Sequence, residues 1–201
     1  MSKRFFDIVS SLFGLIFLSP LFLAIFILIK IKMPGGPVLF RQNRIGQFGK
    51  LFKIYKFRSM QLNHNGNTIS VKGENRITPF GAVLRKYKLD ELPELWNVLK
   101  GDMSFVGPRP DVEGYADKLK DPERILLSVK PGITGPATLK FSNEEELLSS
   151  QLDPVRYNKE VLYPKKVKIN LKYIEHWSFW LDIKIIVFTL VGKKLMEPWF
   201  N

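Results

Sequence analysis

Apolar residues dominate one early stretch of the chain. From Ile8 to Ile29 about 22 residues are mostly apolar, enough for a straight helix to cross the hydrocarbon core of a bilayer. Ser19-Pro20 interrupts this stretch near its centre, and a proline inside a helix removes a backbone hydrogen bond and kinks the chain. The pattern therefore predicts two apolar helices joined by a break.

The charges on either side of this stretch bear on its orientation. Lys3 and Arg4 precede it, and Lys30 and Lys32 follow it. Because basic residues favour the cytoplasmic side, a single span cannot place both ends there, whereas a re-entrant helix–break–helix can. The sequence favours the re-entrant form and leaves a single span open. A signal peptide is disfavoured, since no small-x-small cleavage site follows the apolar stretch.

After a Pro/Gly cluster at 33–37, the pattern changes to short segments. Strands are predicted over 38–42 and 51–58, with a hairpin turn at 46–50 between them. The second strand is rich in aromatic and basic residues that alternate between two faces. These features predict a small antiparallel sheet.

Helices are predicted for much of the remaining chain. Thr78-Pro79 begins one that runs to about residue 88, with Thr78 as its cap, and another follows Asp90 and ends at Gly101. Further helices are predicted over 143–152, 154–162 and 177–196, the last either in the core or in the membrane interface. We expect an α-rich α/β fold with partly interfacial amphipathic helices: an anchor and linker at 1–36 and one catalytic unit at 37–201.

The positive charge is concentrated in the first third of the chain. Residues 1–73 contain eleven Lys or Arg and one acid, while the formal net charge of the whole chain is +12. Such a distribution favours anionic lipid headgroups or a phosphorylated substrate. It also permits a membrane-tethered module that binds nucleic acid, although the charge flanks the anchor rather than forming a stripe. The chain has no cysteine, which excludes disulfides and thiolate zinc sites.

Asp90-Glu91 is the strongest candidate for chemistry. Two adjacent carboxylates at a predicted helix start are stabilised by the helix dipole, and the free N–H groups there can bind phosphate oxygens. An ionised Asp can attack phosphorus, and Mg²⁺ takes one or two carboxylates together with substrate phosphates. A simple helix cap is the alternative interpretation of the same residues. Five basic residues are candidates for binding phosphate: Lys56, Arg58, Arg85, Arg109 and Arg44.

Six motifs then follow one another along the chain. They are Ser19-Pro20, Arg41-Gln42-Asn43-Arg44-Ile45-Gly46, residues 53–60, residues 77–81, residues 89–109 and Pro131-Gly132-Ile133-Thr134-Gly135. In this order they resemble the bacterial sugar transferases, which are small monotopic phosphoglycosyl transferases. The resemblance covers nearly the whole chain. One departure is the segment 136–139, where we expect selectivity for sugar or base to differ.

The resemblance implies a definite reaction. Such enzymes transfer a sugar 1-phosphate from a nucleotide sugar, usually a UDP-sugar, to undecaprenyl phosphate, and they release UMP. The reaction is ping-pong through a covalent phosphosugar-aspartate, which assigns the nucleophile to Asp90, the magnesium-side partner to Glu91 and a phosphate contact to Arg109. Mg²⁺ is the expected cofactor, with Asp90 and Glu91 as its ligands.

The resemblance also implies a location and a set of partners. The break at Ser19-Pro20 makes the helix re-entrant, with both termini on the cytoplasmic face of the bacterial inner membrane. The partners are membrane lipid, the UDP-sugar and undecaprenyl phosphate, with a homo-oligomer and downstream glycosyltransferases as further candidates and no nucleic acid. We expect the minimal catalytic form, without the additional N-terminal helices of larger relatives. Two rivals stay open: a glycosyltransferase that uses Glu91 as base and releases UDP, and a scaffold without activity.

Overall fold

The protein has a mostly helical α/β fold, as predicted. The computed structural model describes residues 3–62 and 76–192. The helices are α1 (Lys3–Phe17), α2 (Ser19–Lys32), α3 (Pro79–Lys86), α4 (Glu94–Lys100), α5 (Pro136–Lys140), α6 (Glu144–Ser149), α7 (Pro154–Tyr157), α8 (Tyr163–Glu175) and α9 (Phe179–Val191). The strands are β1 (Leu39–Ile45), β2 (Leu51–Phe57), β3 (Ser104–Val106) and β4 (Gly132–Thr134).

The first two helices form the predicted broken pair. No single described helix is long and apolar enough to cross a membrane, but α1 and α2 meet the length and hydropathy criteria together and are bent by 59°. Pro20 lies in the first turn of α2, where its missing N–H costs no hydrogen bond. Ser19 Oγ donates back to the carbonyl of Ile16 at 2.7 Å. The predicted break at Ser19-Pro20 is therefore confirmed.

Two small sheets support the rest of the fold. Strands β1 and β2 pair antiparallel, with Leu39 opposite Phe57 and Ile45 opposite Leu51, which confirms the predicted hairpin. The first strand is longer than predicted, because its pairing continues to Ile45. Strands β3 and β4 form a parallel pair that the sequence analysis did not predict.

The helices follow the predicted signals with some shifts in length. Thr78 Oγ accepts a hydrogen bond from the backbone N–H of Gly81 at 2.9 Å, which confirms Thr78 as the cap of α3. The predicted helix over 154–162 is longer, because a π turn at Asn158–Leu162 connects α7 directly to α8. The predicted C-terminal helix is present as α9, and residues 193–196 of that prediction lie outside the described part.

Three buried clusters join these elements. One joins α2 to β2 and α3, a second joins β2 to α4 and β3, and a third joins β3 to α5, α8 and α9. Helix α4 and the turn before it therefore lie between the bent helix pair and the antiparallel sheet. This turn contains the candidate acids.

Candidate active site

Asp90 and Glu91 lie in a tight turn rather than at the start of a helix. Leu89–Glu91 is a 3₁₀ turn, and Lys88 before it has a positive φ of 56°, which reverses the chain after α3. Helix α4 begins only at Glu94, after Pro93. Leu89 and Leu92 pack against the buried cluster that joins α2 to β2 and α3, and this packing holds the turn in place. Both carboxylates are buried, with 6% of Asp90 and 8% of Glu91 exposed. The structure thus gives neither acid the role of a cap for α4.

Glu91 is held by two cations. Lys56 Nζ from β2 donates to Glu91 Oε1 at 2.8 Å, and Arg109 Nη2 donates to the same oxygen. Burial works to raise the pKa of Glu91, but Arg109 and then Lys56 outweigh it and hold the pKa well below its ordinary value. Glu91 is therefore an ionised carboxylate fixed between a strand and the segment that follows β3.

Asp90 has the opposite environment. Its Oδ1 is buried and accepts no hydrogen bond within the described part of the chain. Burial raises the pKa of Asp90, and the charge of neighbouring Glu91 raises it further, against the attraction of Lys56. A buried carboxylate oxygen without a partner is costly and uncommon, and such groups mark ligand or catalytic sites.

Glu94 is a third acid of the site that the sequence analysis missed. It is 1% exposed, and Lys56 Nζ lies 3.1 Å from its Oε1. Burial raises the pKa of Glu94 to about 7, because the shared cation Lys56 only partly offsets it. In the sequence Glu94 looks like an ordinary acid in the first turn of a helix. The alternation of β2 places Lys56 on the same face as Phe52 and Ile54, but it does not identify Glu94 as the partner.

The other predicted phosphate-binding residues have separate places. Arg44 lies near Arg109, and its guanidinium donates to the carbonyl of Pro110 at 3.1 Å and to Gln42 Oε1 at 2.8 Å. Arg85 forms an ion pair with Glu145, although its charge still lowers the pKa of Asp90. Arg58 is 5% exposed and donates to the carbonyl of Met33, at the linker after α2. Lys56 and Arg109 thus touch the acids directly, while Arg58 does not.

The donor set fits a divalent ion that takes most of its ligands from substrate. Within the described ranges no three His, Cys, Asp or Glu side chains form a metal-binding group. Mg²⁺ nevertheless binds commonly through one or two carboxylates plus phosphate oxygens and water. Asp90 Oδ1 has the free coordination capacity for this, whereas Glu91 Oε1 is already occupied by two cations.

Both ends of the broken helix pair contact the same globular unit. At the start of α1, Lys3 bonds the carbonyl of Val106 at 2.9 Å, and Asp7 accepts hydrogen bonds from Ser104 and Phe105. At the end of α2, buried residues pack against β2 and α3. Six apolar side chains near the break are more than one-third exposed: Leu12, Phe13, Ile16, Phe17, Leu21 and Leu23. The break is thus the exposed apolar tip of the pair.

Comparison with known proteins agrees with these features. Residues 1–194 match the family described as bacterial sugar transferase. Galactosyl transferase CpsE of Streptococcus agalactiae serotype III (strain NEM316) is 38% identical over 94% of this chain and 41% of its own length. The UDP-glucose:undecaprenyl-phosphate glucose-1-phosphate transferase of Xanthomonas campestris pv. campestris is 41% identical over 95% of this chain and 38% of its own length.

A shorter relative matches along most of its length. The uncharacterized sugar transferase EpsL of Bacillus subtilis (strain 168) is 36% identical over 94% of this chain and 85% of its own length. The chain therefore spans about two fifths of the first two relatives, at 41% and 38%, and most of the third.

Proposed function

Because this chain belongs to the bacterial sugar transferase family, we propose that it transfers a sugar 1-phosphate from a UDP-sugar to undecaprenyl phosphate and releases UMP. The observation that carries the proposal is the pairing of unlike carboxylates. Asp90 has a buried oxygen without a hydrogen bond inside the described chain, and next to it Glu91 is fixed by Lys56 and Arg109. This arrangement suits attack on a phosphoryl group near fixed positive charge.

In the first step Asp90 acts as the nucleophile. One carboxylate oxygen attacks the phosphorus that carries the sugar, forming an acyl-phosphate bond, and the bond to the bridging oxygen of the diphosphate breaks. The electron pair leaves with UMP. The raised pKa of Asp90, caused by burial and by Glu91, makes its ionised form a stronger nucleophile than an ordinary aspartate.

In the second step the lipid phosphate replaces the aspartate. An oxygen of undecaprenyl phosphate attacks the same phosphorus, the acyl-phosphate bond breaks, and Asp90 returns as a carboxylate. Arg109 is 41% exposed at its side chain while bound to Glu91, so it has a free side to contact phosphate oxygens. The positive charge of Arg44 acts on the same place, since it interacts with Arg109.

Magnesium would be held mainly by Asp90, whose Oδ1 has no hydrogen bond within the described chain, with Glu91 next to it and with phosphate of the donor. When bound it would neutralise charge on the transferred group and orient it. The chain's own residues act around it: Lys56 holds Glu91 and Glu94 in place, and Arg109 ties Glu91 to the segment after β3.

The helix pair supports a re-entrant anchor on the cytoplasmic face of the bacterial inner membrane. The start of α1 and the end of α2 both contact the catalytic unit. If the helix pair crossed the membrane once, its two ends would lie on opposite sides, and they could not both contact the same unit. A dipping pair instead places the site at headgroup level. There the site can contact the lipid phosphate while the polyprenyl tail stays in the bilayer. Extracting the tail would cost about 0.8 kcal/mol per CH₂ withdrawn.

The names of the relatives cover several donor sugars. One similar relative is named a galactosyl transferase, another an N-acetylgalactosaminephosphotransferase and a third a glucose-1-phosphate transferase, at 38%, 37% and 41% identity. Identities this close do not favour one donor over another.

The test is release of UMP by the purified protein in detergent, with Mg²⁺, undecaprenyl phosphate and a panel of UDP-sugars. We expect one donor to give UMP. With that donor and no acceptor, we expect one equivalent of UMP and a protein mass increased by the sugar phosphate. Asp90→Asn should do neither, whereas Asp121→Asn, at an exposed loop position, should behave as wild type.

Other products would select other functions. Release of UDP in place of UMP would favour a glycosyltransferase with Glu91 as base. No release from any donor, with nucleic-acid binding that is measurable at physiological salt, would favour the binding module. Turnover that survives in Asp90→Asn would contradict the covalent mechanism while leaving the overall transfer intact.

A further inference from the structure

A second site is suggested by a cavity away from the acids. The cavity, of about 370 Å³, lies at the start of α1 beside β3 and the end of α8. Three cations, Lys3, Arg4 and Lys130, and one acid, Asp7, line it. Lys3 is paired with Asp182, which lies outside the cavity lining. Asp7 accepts hydrogen bonds from Ser104 Oγ and from the backbone N–H of Phe105, both at 3.1 Å.

Neither of the other two cations forms an ion pair with Asp7, the acid in the cavity lining, although Asp7 attracts both. Arg4 donates to the carbonyls of Val98 and Leu99 at 2.6 and 2.8 Å, and both of these acceptors are uncharged. Within residues 3–62 and 76–192, no acid forms an ion pair with Arg4 or Lys130. Burial and the charge of Arg4 lower the pKa of Lys130, against the weaker pull of two aspartates. The cavity wall therefore has an excess of positive charge.

The two cations converge on one point. A Cβ built on Gly101, at the end of α4, would lie 3.1 Å from Arg4 Nη2 and 3.5 Å from Lys130 Nζ. The donors are thus within about two hydrogen-bond lengths of each other, the spacing at which one phosphate can accept from both. A side chain at position 101 would contact both donors.

The surroundings of the cavity are apolar and aromatic. Trp177 lines it and is 47% exposed, with its Nε1 donating to Asp182 at 3.0 Å. Helix α9, whose Phe179 ring contacts Phe6 of α1 at 5.5 Å, exposes Trp180 and Leu190 at 77% and 81%. Tryptophan beside exposed apolar side chains is typical of protein surfaces at the level of lipid headgroups.

We propose that Arg4 and Lys130 bind the phosphate headgroup of an anionic bilayer lipid, with its acyl chains along the exposed faces of α1 and α9. This site is separate from the acids. Arg4 caps the carboxyl end of α4, whereas Glu94 begins its amino end, and seven residues of helix extend about 10 Å. A phosphate held at Arg4 is therefore not the one that reacts at Asp90. The inference rests on the proposed membrane insertion but not on sugar transfer.

The test counts lipids retained by the purified protein. Delipidated protein is offered phosphatidylglycerol and phosphatidylcholine in equal amounts, and retained lipid is measured by native mass spectrometry. We expect one phosphatidylglycerol in preference to phosphatidylcholine. Lys130→Gln should reduce that preference about five-fold, since each basic residue near an anionic surface adds about 1 kcal/mol. Lys130→Arg should restore it.

The double variant Lys30→Gln/Lys32→Gln is the matched control. It removes two charges at the other membrane-directed end of the helix pair, next to α3 rather than the cavity. Its retention should stay within two-fold of wild type if the cavity is the site. Equal losses in both variants would show general surface attraction and overturn the proposal. Lys130-dependent preference for undecaprenyl phosphate, or equally tight binding of inorganic phosphate, would overturn the assignment to a bilayer lipid. Because no donor sugar is present, a failed transfer reaction does not affect the result.

Discussion

The two ends of α4 differ in the charge of the side chains around them: acids lie at the amino end and cations at the carboxyl end. At its amino end and in the turn before it, three buried acids share two cations, and one oxygen of Asp90 is left without a hydrogen bond from the described chain. At its carboxyl end, Arg4 and Lys130 face each other and no described acid pairs with them. Charge that a fold leaves uncompensated is costly, so it persists where something else supplies the counter-charge. The first end suits a reacting phosphoryl group and the second a headgroup that only binds.

The largest effect should come from Asp90→Asn. Loss of the proposed nucleophile should lower the rate of UMP release at least about 10³-fold. The same change should stabilise the fold at pH 8. Burial and the charge of Glu91 raise the pKa of Asp90 in the folded protein. The free energy of unfolding of the wild type therefore falls as pH rises through that pKa. The amide in the variant does not ionise, so the variant does not lose this stability. Thermal unfolding in detergent at pH 8 checks this. A lower midpoint together with lost activity would mean that Asp90 is needed for folding.

Glu91→Gln should lower the free energy of unfolding, the opposite of the effect expected for Asp90→Asn. It leaves Lys56 and Arg109 without the ionised oxygen that both contact. Removing one partner of a buried pair costs about 3–5 kcal/mol, which we reduce to about 2–3 kcal/mol because Arg109 is partly exposed. That corresponds to a midpoint about 5–10 °C lower.

The pH dependence gives an internal check for Glu91. Its pKa is depressed in the folded protein, so its contribution is present at neutral pH and is lost as pH falls through the folded pKa. Glu91 also raises the pKa of Glu94, so the variant suffers less of the loss of stability that Glu94 causes as pH rises. The difference between wild type and Glu91→Gln should therefore shrink from pH 6 to 8. A difference that grew with pH across this range would contradict the ion-pair account.

Glu94→Gln should raise the free energy of unfolding at pH 8 but not at pH 4. The pKa of Glu94 is raised from 4.5 to about 7 by burial, so in wild type the free energy of unfolding falls as pH rises between these values. The amide avoids that loss, and at pH 8 we expect a gain of about 1–3 kcal/mol. At pH 4 the two proteins should unfold at nearly the same temperature. Equal midpoints at pH 8 would mean that Lys56 fully compensates Glu94.

The sequence predicted features whose causes are local. Ser19-Pro20 breaks the helix because of what proline lacks, Thr78 caps α3, and the hairpin follows from alternation and a turn. Strands β3 and β4 were missed because each has three residues, too few to show a period, and they pair across 25 intervening residues. The burial of Glu94 and the meeting of Arg4 with Lys130 were missed for a related reason. Each depends on which elements pack together, and no periodicity within one segment records that.

The smallest effect should come from Gly101→Ala, which acts at the carboxyl end of α4. Gly101 has φ of 101°, a conformation that costs an L-residue about 1–2 kcal/mol. The new methyl would also contact Arg4 and Lys130 at 3.1 and 3.5 Å, and both side chains are flexible enough to move aside. We expect a midpoint a few degrees lower and about two-fold less retained phosphatidylglycerol.

Gly114→Ala separates the two causes of this loss. Gly114 has nearly the same φ, 97°, but its Cβ would meet no atom within 4 Å. It should therefore reproduce the loss of stability from backbone strain while leaving lipid retention unchanged. If both variants retained lipid equally, the space between Arg4 and Lys130 would not be the place where the headgroup binds. If only Gly101→Ala lost lipid, the loss would come from the methyl group between Arg4 and Lys130, and the headgroup would bind at the carboxyl end of α4.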